Sequence, residues 1–376
     1  MTLVSNRTAR PSLVASSFTP AAVSGRALRT YGIVRALAAT GPVTVVYVRF
    51  GATAPDRAYV SLDHVTLHEV VSSRRVRRGC AFLRARRFGA PTVVARGASP
   101  ELLSTTSRLE RWHGRIIADD LMTAVALAPL ARQRPVIYSA HNLESAFRSD
   151  WGSVSEVERF ERRILGLAAE TWLPSRADLE RAAALAPGAR LRLVPNVVDV
   201  AAVAPLRSAV GRPTALMVAD FTYGPNRQGL EWLLREVLPK VWIRVPELRL
   251  LVVGRGLDPP PAADPRVTFA GFVTELRTAY ESAGFAVVPL LTGGGTPLKF
   301  IEALAYGLPV VATPRAAAGL DVTPGVHYFA GDGPGGFASG MTAALDHARA
   351  QAVADAGRTL AEREYSIDAQ ARRLAG

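Results

Sequence analysis

Three consecutive glycines, Gly293, Gly294 and Gly295, separate an apolar run from a helical pattern that carries Lys299 and Glu302. The stretch from Phe285 to Thr313 reads as strand, glycine loop, helix, turn and strand, which is one βαβ unit. Glycines lack Cβ atoms, so the loop can turn tightly and bring its N–H groups against a ligand. Thr296 is expected at the N-cap and Pro297 at the first helical position, with Gly307 and Pro309 ending the helix. Lys299 then falls in the first turn, where the helix dipole disfavours a cation by about 0.3 to 1 kcal/mol. A bound phosphate would compensate, because a helix N-terminus attracts anions and the ammonium adds a point charge. Glu302, three residues on, shares the helix face of Lys299 and suits accepting hydrogen bonds from hydroxyls such as those of a ribose. The competing reading is a solvated Lys and Glu pair on an ordinary α/β helix.

The first half of the chain offers a second group. His141 follows directly on a strand pattern, in Ser139-Ala-His-Asn-Leu-Glu144, at the edge where open α/β sheets bind ligands. A solvated loop histidine is the alternative. Asp119 and Asp120 end another strand, are not spaced for metal binding, and read as acceptor contacts. Gly25 and Arg26 open the first helix after the first strand, and Arg29 reads equally well as an arginine on a wet helix face. From Arg74 to Phe88 seven arginines accompany Val76, Cys80 and Leu83 at helical spacing, a basic amphipathic pattern that can lie on anionic lipid through Arg74 to Arg87.

The elements that position these residues alternate from end to end, as in parallel α/β architecture. Strands are expected near 13–17, 43–50, 65–71, 115–118, 136–140 and 171–174, then near 215–219, 248–253, 267–270, 285–290 and 309–312. Helices are expected near 24–39, 99–110, 153–169, 229–241, 275–282 and 297–306, with a helical, alanine-rich tail from about Phe337 to Gly376. The segment from Pro195 to Pro213 lacks periodicity and suits a linker. With 376 residues, two domains are expected. A net charge of +13 is carried almost wholly by arginine, since Lys240 and Lys299 are the only lysines, and it favours anionic partners without choosing among them. One cysteine, Cys80, excludes an internal disulfide and a cysteine-based zinc site. With no long apolar run and no signal-like start, a soluble cytoplasmic protein is expected, with peripheral membrane contact through the arginine helix and no nucleic-acid partner. No strand is followed by the Gly-x-Gly-x-x-Gly fingerprint of an NAD enzyme.

The 285–313 stretch resembles the donor-binding segment of glycosyltransferase family 4, the retaining transferases of GT-B fold. Phe221-Thr-Tyr-Gly-Pro-Asn-Arg-Gln-Gly-Leu-Glu-Trp-Leu233 is similar to that family's first C-domain loop and helix, and Leu250-Leu-Val-Val-Gly-Arg-Gly256 to its next strand and turn. Val267-Thr-Phe-Ala-Gly-Phe-Val273 and Val194-Pro-Asn-Val-Val-Asp199 match two further segments, so the likeness covers most of residues 190 to 325. The resemblance implies two Rossmann-like domains facing each other across a cleft: an acceptor domain over 1–200, a donor domain over 201–355, and a helix over 356–376 that returns to the first domain. It implies Lys299 on the donor pyrophosphate, Glu302 on the ribose, and Gly293, Gly294, Gly295, Thr296, Pro297 and Leu298 around the sugar or phosphates. Asn226 and Arg255 would line the same side, and Gly271 and Phe272 the base pocket. Gly25 would approach the donor, Arg26 the acceptor, and His141 the transferring sugar. No metal or cofactor is implied beyond the nucleotide-diphosphate sugar as co-substrate; the acceptor is a hydroxyl of an envelope glycan, a lipid-linked sugar or a natural product.

Two departures stand out. The first glutamate of the family's E-x7-E pair would fall at Gly294, although a subgroup carries such a Gly-Gly-Gly-Thr loop. The basic pair found after the first C-domain strand is replaced by Asp220 and Gln228. A sugar-nucleotide binder or partner subunit that lost its chemistry is the alternative to an active transferase.

Overall fold

The computed structural model describes residues 11–22, 25–49, 53–71, 75–146, 151–206, 209–257, 264–293 and 295–375. They divide into two compact units, one running to Pro195 and resuming at Gln370, the other spanning Asn196–Ala369.

The first unit alternates strands and helices: β1 (Ser12–Ser16), α1 (Gly25–Ala38), β2 (Val43–Val48), α2 (Arg57–Val60), β3 (Val65–Val70), α3 (Arg75–Arg87), α4 (Thr92–Arg96) and α5 (Pro100–Leu109). It continues through β4 (Arg115–Asp119), α6 (Asp120–Ala131), β5 (Ile137–Ser139), α7 (Val154–Leu167), β6 (Glu170–Leu173), α8 (Arg176–Leu185) and β7 (Leu191–Leu193). The strands form one parallel sheet in the order β3-β2-β1-β4-β5-β6-β7. Ser12 is in register with both Val43 and Arg115, so β1 lies between β2 and β4. The strand order reverses there, and the carboxyl ends of β1 and β4 diverge into a crevice suited to ligands.

The second unit repeats the plan with β8 (Thr214–Val218), α9 (Gly224–Trp232), a π-helical turn (Leu233–Val237), α10 (Leu238–Arg244), β9 (Arg249–Val253), β10 (Val267–Gly271), α11 (Leu276–Ser282) and β11 (Phe285–Val288). There follow α12 (Leu298–Ala305), β12 (Val310–Ala312), α13 (Pro314–Ala317), β13 (Phe329–Ala330), α14 (Gly333–Ala343), α15 (His347–Glu364) and α16 (Ile367–Ala375). Its parallel sheet runs β10-β9-β8-β11-β12-β13, which puts the reversal between β8 and β11.

Both sheets are covered on both faces, and central strands such as Phe285–Val288 are buried at every residue, as parallel sheets between helices require. Helix α6 is apolar nearly all round and buried along most of its length. It therefore shows no one-sided pattern in the sequence.

Three expectations are corrected. The aperiodic segment after Pro195 is no loose linker: Leu206, Ala209 and Val210 are buried in the second unit's core, and Leu206 N–H donates to the Tyr306 carbonyl at 2.8 Å. The tail is three helices, of which α15 buries Ala350, Ala354 and Ala361 in the second unit. Only the last turns of α16 join the first unit, with Ala371 and Leu374 in a cluster with Val14, Ile33 and Trp172, and the Gln370 amide donating to the Pro195 carbonyl at 3.0 Å. Finally, Pro297 rather than Thr296 occupies the N-cap of α12, and it offers no side-chain acceptor. Thr296 turns its hydroxyl to the Gly319 carbonyl at 3.5 Å.

Candidate active site

At the switch point of the second sheet, the first turns of α9 and α12 bring Asn226 and Lys299 together. Lys299 Nζ donates to Asn226 Oδ1 at 2.5 Å, while Asn226 Nδ2 donates to the Asp220 carbonyl at 2.7 Å. The buried Asn226 thus fixes the half-buried lysine without neutralising it. Burial pulls the Lys299 ammonium down to about 8, against the opposing pull of Glu302. Glu302 is itself pushed up by burial, opposed by the Tyr280 hydroxyl at 3.5 Å and by Lys299. Because Pro297 leaves the α12 terminus without a side-chain cap, its first amides and the lysine together form an electropositive corner.

The loop before α12 is shaped by backbone that only glycine adopts easily. Gly293 has φ +88°, and a Cβ there would lie 2.9 Å from Tyr223 Oη. Gly295 is likewise left-handed, Gly294 lies outside the described residues, and Leu298 is buried as the first residue of α12. Thr296 is held by the Asn196 amide, which donates to its carbonyl at 3.2 Å. Opposite, Gly254 comes so close to the end of β8 that a Cβ would overlap the Ala219 carbonyl. That approach sets Arg255 beside Asp220, with Nε at 2.9 Å and Nη2 at 2.5 Å from Oδ2. Burial works against the Asp220 carboxylate, but bonds from Arg255 and Thr222 outweigh it and hold the carboxyl below its ordinary range. Arg255 is therefore on the expected side but already paired. Gln228 accepts from the Thr292 hydroxyl at 2.7 Å. Gly271 ends β10 in a left-handed conformation, and Phe272 beyond it is 64% exposed, an open aromatic face.

In the first unit, the switch point gathers Asp119, Asp120, His141 and Arg26. His141 Nε2 is 2.8 Å from Asp119 Oδ1, and both side chains are buried. The Thr30 hydroxyl donates to Asp119 Oδ2 at 2.8 Å and Ser16 Oγ reaches it at 3.4 Å. Burial opposes charge on Asp119, yet His141 and Thr30 hold its carboxyl below the ordinary value. Asp120 has φ +71°, a left-handed backbone rare outside glycine and concentrated at functional sites. Its Oδ1 accepts from the Thr123 N–H at 2.9 Å, and among the described residues its Oδ2 has only Arg26, at 3.6 Å. Burial pushes the Asp120 carboxyl up to about 6, Arg26 opposing and Asp119 adding to the rise. Arg26 also lies over the Phe18 ring at 4.9 Å. Gly25 is exposed, with open space where a Cβ would stand.

Arg29, one reading of which was a wet helix face, is instead 2% exposed and donates to the Val194 carbonyl at 2.9 Å. Burial pulls its guanidinium down to about 10. Thr30, Ser16 and Tyr280 had no sequence signal, because single hydroxyls carry no spacing rule. His141 is no solvated loop histidine. Among the described residues no three His, Cys, Asp or Glu side chains converge as metal ligands.

Residues 212–347 match the family model of the group 1 glycosyl transferases. Over 199 residues the chain is 30% identical to a phosphatidyl-myo-inositol mannosyltransferase of Mycolicibacterium smegmatis, a match covering 50% of this chain and 49% of that enzyme. In that match the chain spans about half the length of its relative. Among solved structures, sucrose-phosphate synthase from Thermosynechococcus elongatus superposes with a TM-score of 0.73 at 19% identity over 97% of both chains. Anabaena HepE with UDP and glucose gives 0.67 at 15%, covering 97% of this chain and 98% of that one. The chain has the GT-B fold.

In GT-B terms, the group 1 match covers β8 to the start of α15, and with it Asn226, Arg255, Gly271, Phe272, Lys299 and Glu302. The acidic and histidine cluster of the first unit lies outside residues 212–347, so its assignment rests on geometry: a buried pair, a strained aspartate and a half-buried arginine at a sheet's switch point.

Proposed function

We propose that this GT-B chain is a retaining glycosyltransferase that moves a sugar from a nucleotide diphosphate to an acceptor hydroxyl. The observation that carries this reading is Lys299: a half-buried ammonium in the first turn of an uncapped helix, held by a neutral amide rather than a carboxylate. Such a corner stabilises the charge that develops on a departing diphosphate, and preorganised electrostatics of this kind supply much of an enzyme's rate gain. The sugar's bond to the phosphate oxygen breaks, its bond to the acceptor oxygen forms on the same face, and the acceptor proton passes to the leaving phosphate. The N–H groups of Gly293, Gly295, Thr296 and Leu298 cradle the diphosphate or sugar, Glu302 takes the ribose hydroxyls, and Phe272 beside Gly271 offers a face to the base. Asn226 fixes the lysine, and Arg255 borders the same corner with its charge shared with Asp220. On the first unit, His141 addresses the sugar in transfer, Asp119, Asp120 and Arg26 border the acceptor, and Gly25 approaches the donor. The lysine and helix end supply the charge a metal would otherwise bring, so transfer proceeds without one. That the M. smegmatis relative is named for mannosyl transfer to a phosphatidylinositol supports a hydroxyl acceptor on an envelope molecule.

The test is calorimetry with UDP-, GDP-, dTDP- and ADP-sugars on the parent and on Lys299→Met, paired with donor turnover in EDTA. One donor should bind and turn over, and the variant should bind it about ten- to a hundred-fold more weakly and lose turnover while its circular dichroism is unchanged. Binding without turnover in the parent, for any acceptor tried, would favour a non-catalytic sugar-nucleotide binder, the reading that Gly294 in place of the family glutamate supports. No binding of any donor would overturn both.

A further inference from the structure

A hollow of about 260 Å³ opens on the flank of the first unit between α3, α5 and α6. It lies apart from the switch-point cluster: α6 begins at Asp120, whereas its residues in this hollow are Val125, Ala126, Ala128 and Pro129, with Arg132 just beyond the helix. The floor is apolar, with Ala85, Val125 and Ala126 buried beneath it, and the rim carries Arg84, Arg87 and Arg132. Neighbouring arginines are engaged. Arg86 pairs with Glu156 at 3.3 Å and Arg163 donates to the Phe88 carbonyl at 2.7 Å. Arg84, Arg87 and Arg132 make no ion pair with any described carboxylate, and Arg132 only overlies the Phe88 ring at 5.5 Å. Beside them on α3, Leu83 is 59% exposed.

We propose that this hollow seats an anionic membrane phospholipid, its phosphate on Arg84, Arg87 and Arg132 and the first part of an acyl chain on the apolar floor. Three guanidiniums with no carboxylate partner among the described residues, set around an apolar pit, complement a molecule that joins an anion to a hydrocarbon chain. A soluble anion or a nucleic acid would use the arginines but not the floor or Leu83. The volume falls below that of pockets that enclose whole small ligands, about 300 to 1,000 Å³. It fits part of a molecule whose remainder stays in a bilayer. Helix α3 has no acidic residue to offset its arginines, so it can lie against a negative lipid surface. This inference stands apart from the donor chemistry.

The full chain is floated with phosphatidylcholine vesicles and with vesicles half phosphatidylglycerol, in low and high salt. Three proteins are compared: the parent, the combined Arg84→Gln, Arg87→Gln and Arg132→Gln variant, and Ala81→Phe, which fills the hollow without altering charge. The parent should partition strongly and salt-sensitively onto the anionic vesicles only. The triple variant should lose on the order of a hundred-fold, since each basic residue near such a surface contributes about a factor of five. Ala81→Phe should lose several-fold, with thermal melting of all three proteins alike. Equal binding to neutral and anionic vesicles overturns the proposal. So does parental binding by Ala81→Phe, which would leave diffuse surface charge as the cause, or full competition by a short RNA that is itself indifferent to Ala81→Phe.

Discussion

His141 Nε2 stands 2.8 Å from Asp119 Oδ1, with both side chains buried at the carboxyl ends of neighbouring strands. A carboxylate only accepts, so the hydrogen between them sits on Nε2. Nδ1 is then the ring atom left to act, and it is buried with no partner among the described residues. Asp119 is itself fixed by Thr30 and Ser16, which makes it a positioning residue: it sets which nitrogen of His141 meets a ligand.

Asp119→Asn keeps the shape of this pair but removes its charge and frees the ring to adopt the other tautomer. Turnover should fall on the order of a hundred-fold, within the range that positioned proton-handling groups contribute, with donor KM changed little. Nitrogen NMR of the imidazole should show the Nε2–H tautomer in the parent and a mixture in the variant. An unchanged tautomer with full activity would remove Asp119 from the mechanism.

Asp120 is a cost to the fold. Its carboxyl is raised by burial from 3.8 to about 6, so the unfolded chain loses that proton first. Stability therefore falls as pH rises from about 4 to about 6, and above that the full penalty, on the order of 3 kcal/mol, is present. Asparagine tolerates the left-handed backbone and can still accept from the Thr123 N–H. Asp120→Asn should thus raise the melting temperature at pH 8 by several degrees, the Arg26 attraction being already contained in that net penalty, and leave it unchanged at pH 4. Weaker acceptor binding by this more stable variant would mark the cost as functional. A melting curve that matches the parent at pH 8 would contradict it.

Much of this was legible in the sequence because parallel strands buried on both faces spell themselves out. Val43–Val48 and Phe285–Val288 are nearly unbroken apolar runs, and the glycines before residue 299 announced a loop meeting a helix. What stayed hidden follows from physics of longer range. Asp119 and His141 are 22 residues apart, and only the register of β4 on β5 makes them neighbours. The two-residue β13 is too short to show a pattern, and α6 is too uniformly apolar to show a face. Thr296 had the chemistry of an N-cap, but the Gly319 carbonyl competes for its hydroxyl. Arg29 illustrates the same limit, since nothing local says that Val194, 165 residues on, supplies its acceptor.

The glycine loop should resist substitution where the backbone is left-handed. Gly293→Ala meets both φ +88° and the Tyr223 hydroxyl at 2.9 Å. A destabilisation on the order of 1–2 kcal/mol is expected in urea titration, together with weaker donor binding as residues 293–298 are displaced. Stability within a few tenths of a kcal/mol of the parent would show that the loop relaxes freely and cannot be a preformed cradle.

Lys299 supplies a signature that separates a phosphate site from a structural lysine. Burial lowers its ammonium from 10.5 to about 8, so the unfolded chain holds this proton more tightly and stability rises with pH between about 8 and 10.5. A diphosphate placed against Nζ favours the charged form and pulls the value back up. Binding of a nucleoside diphosphate at pH 8 to 9 should therefore take up roughly half a proton or more, and affinity should weaken up to about ten-fold per pH unit above 8. Calorimetry in two buffers of different ionisation heat measures that uptake directly. Lys299→Met should abolish it and weaken binding by about ten- to a hundred-fold, as expected for a lost charge-assisted bond. Glu302→Gln should keep the uptake, because the proton resides on the lysine whichever group holds the ribose. Binding with no proton uptake in the parent would place the diphosphate somewhere other than the first turn of α12.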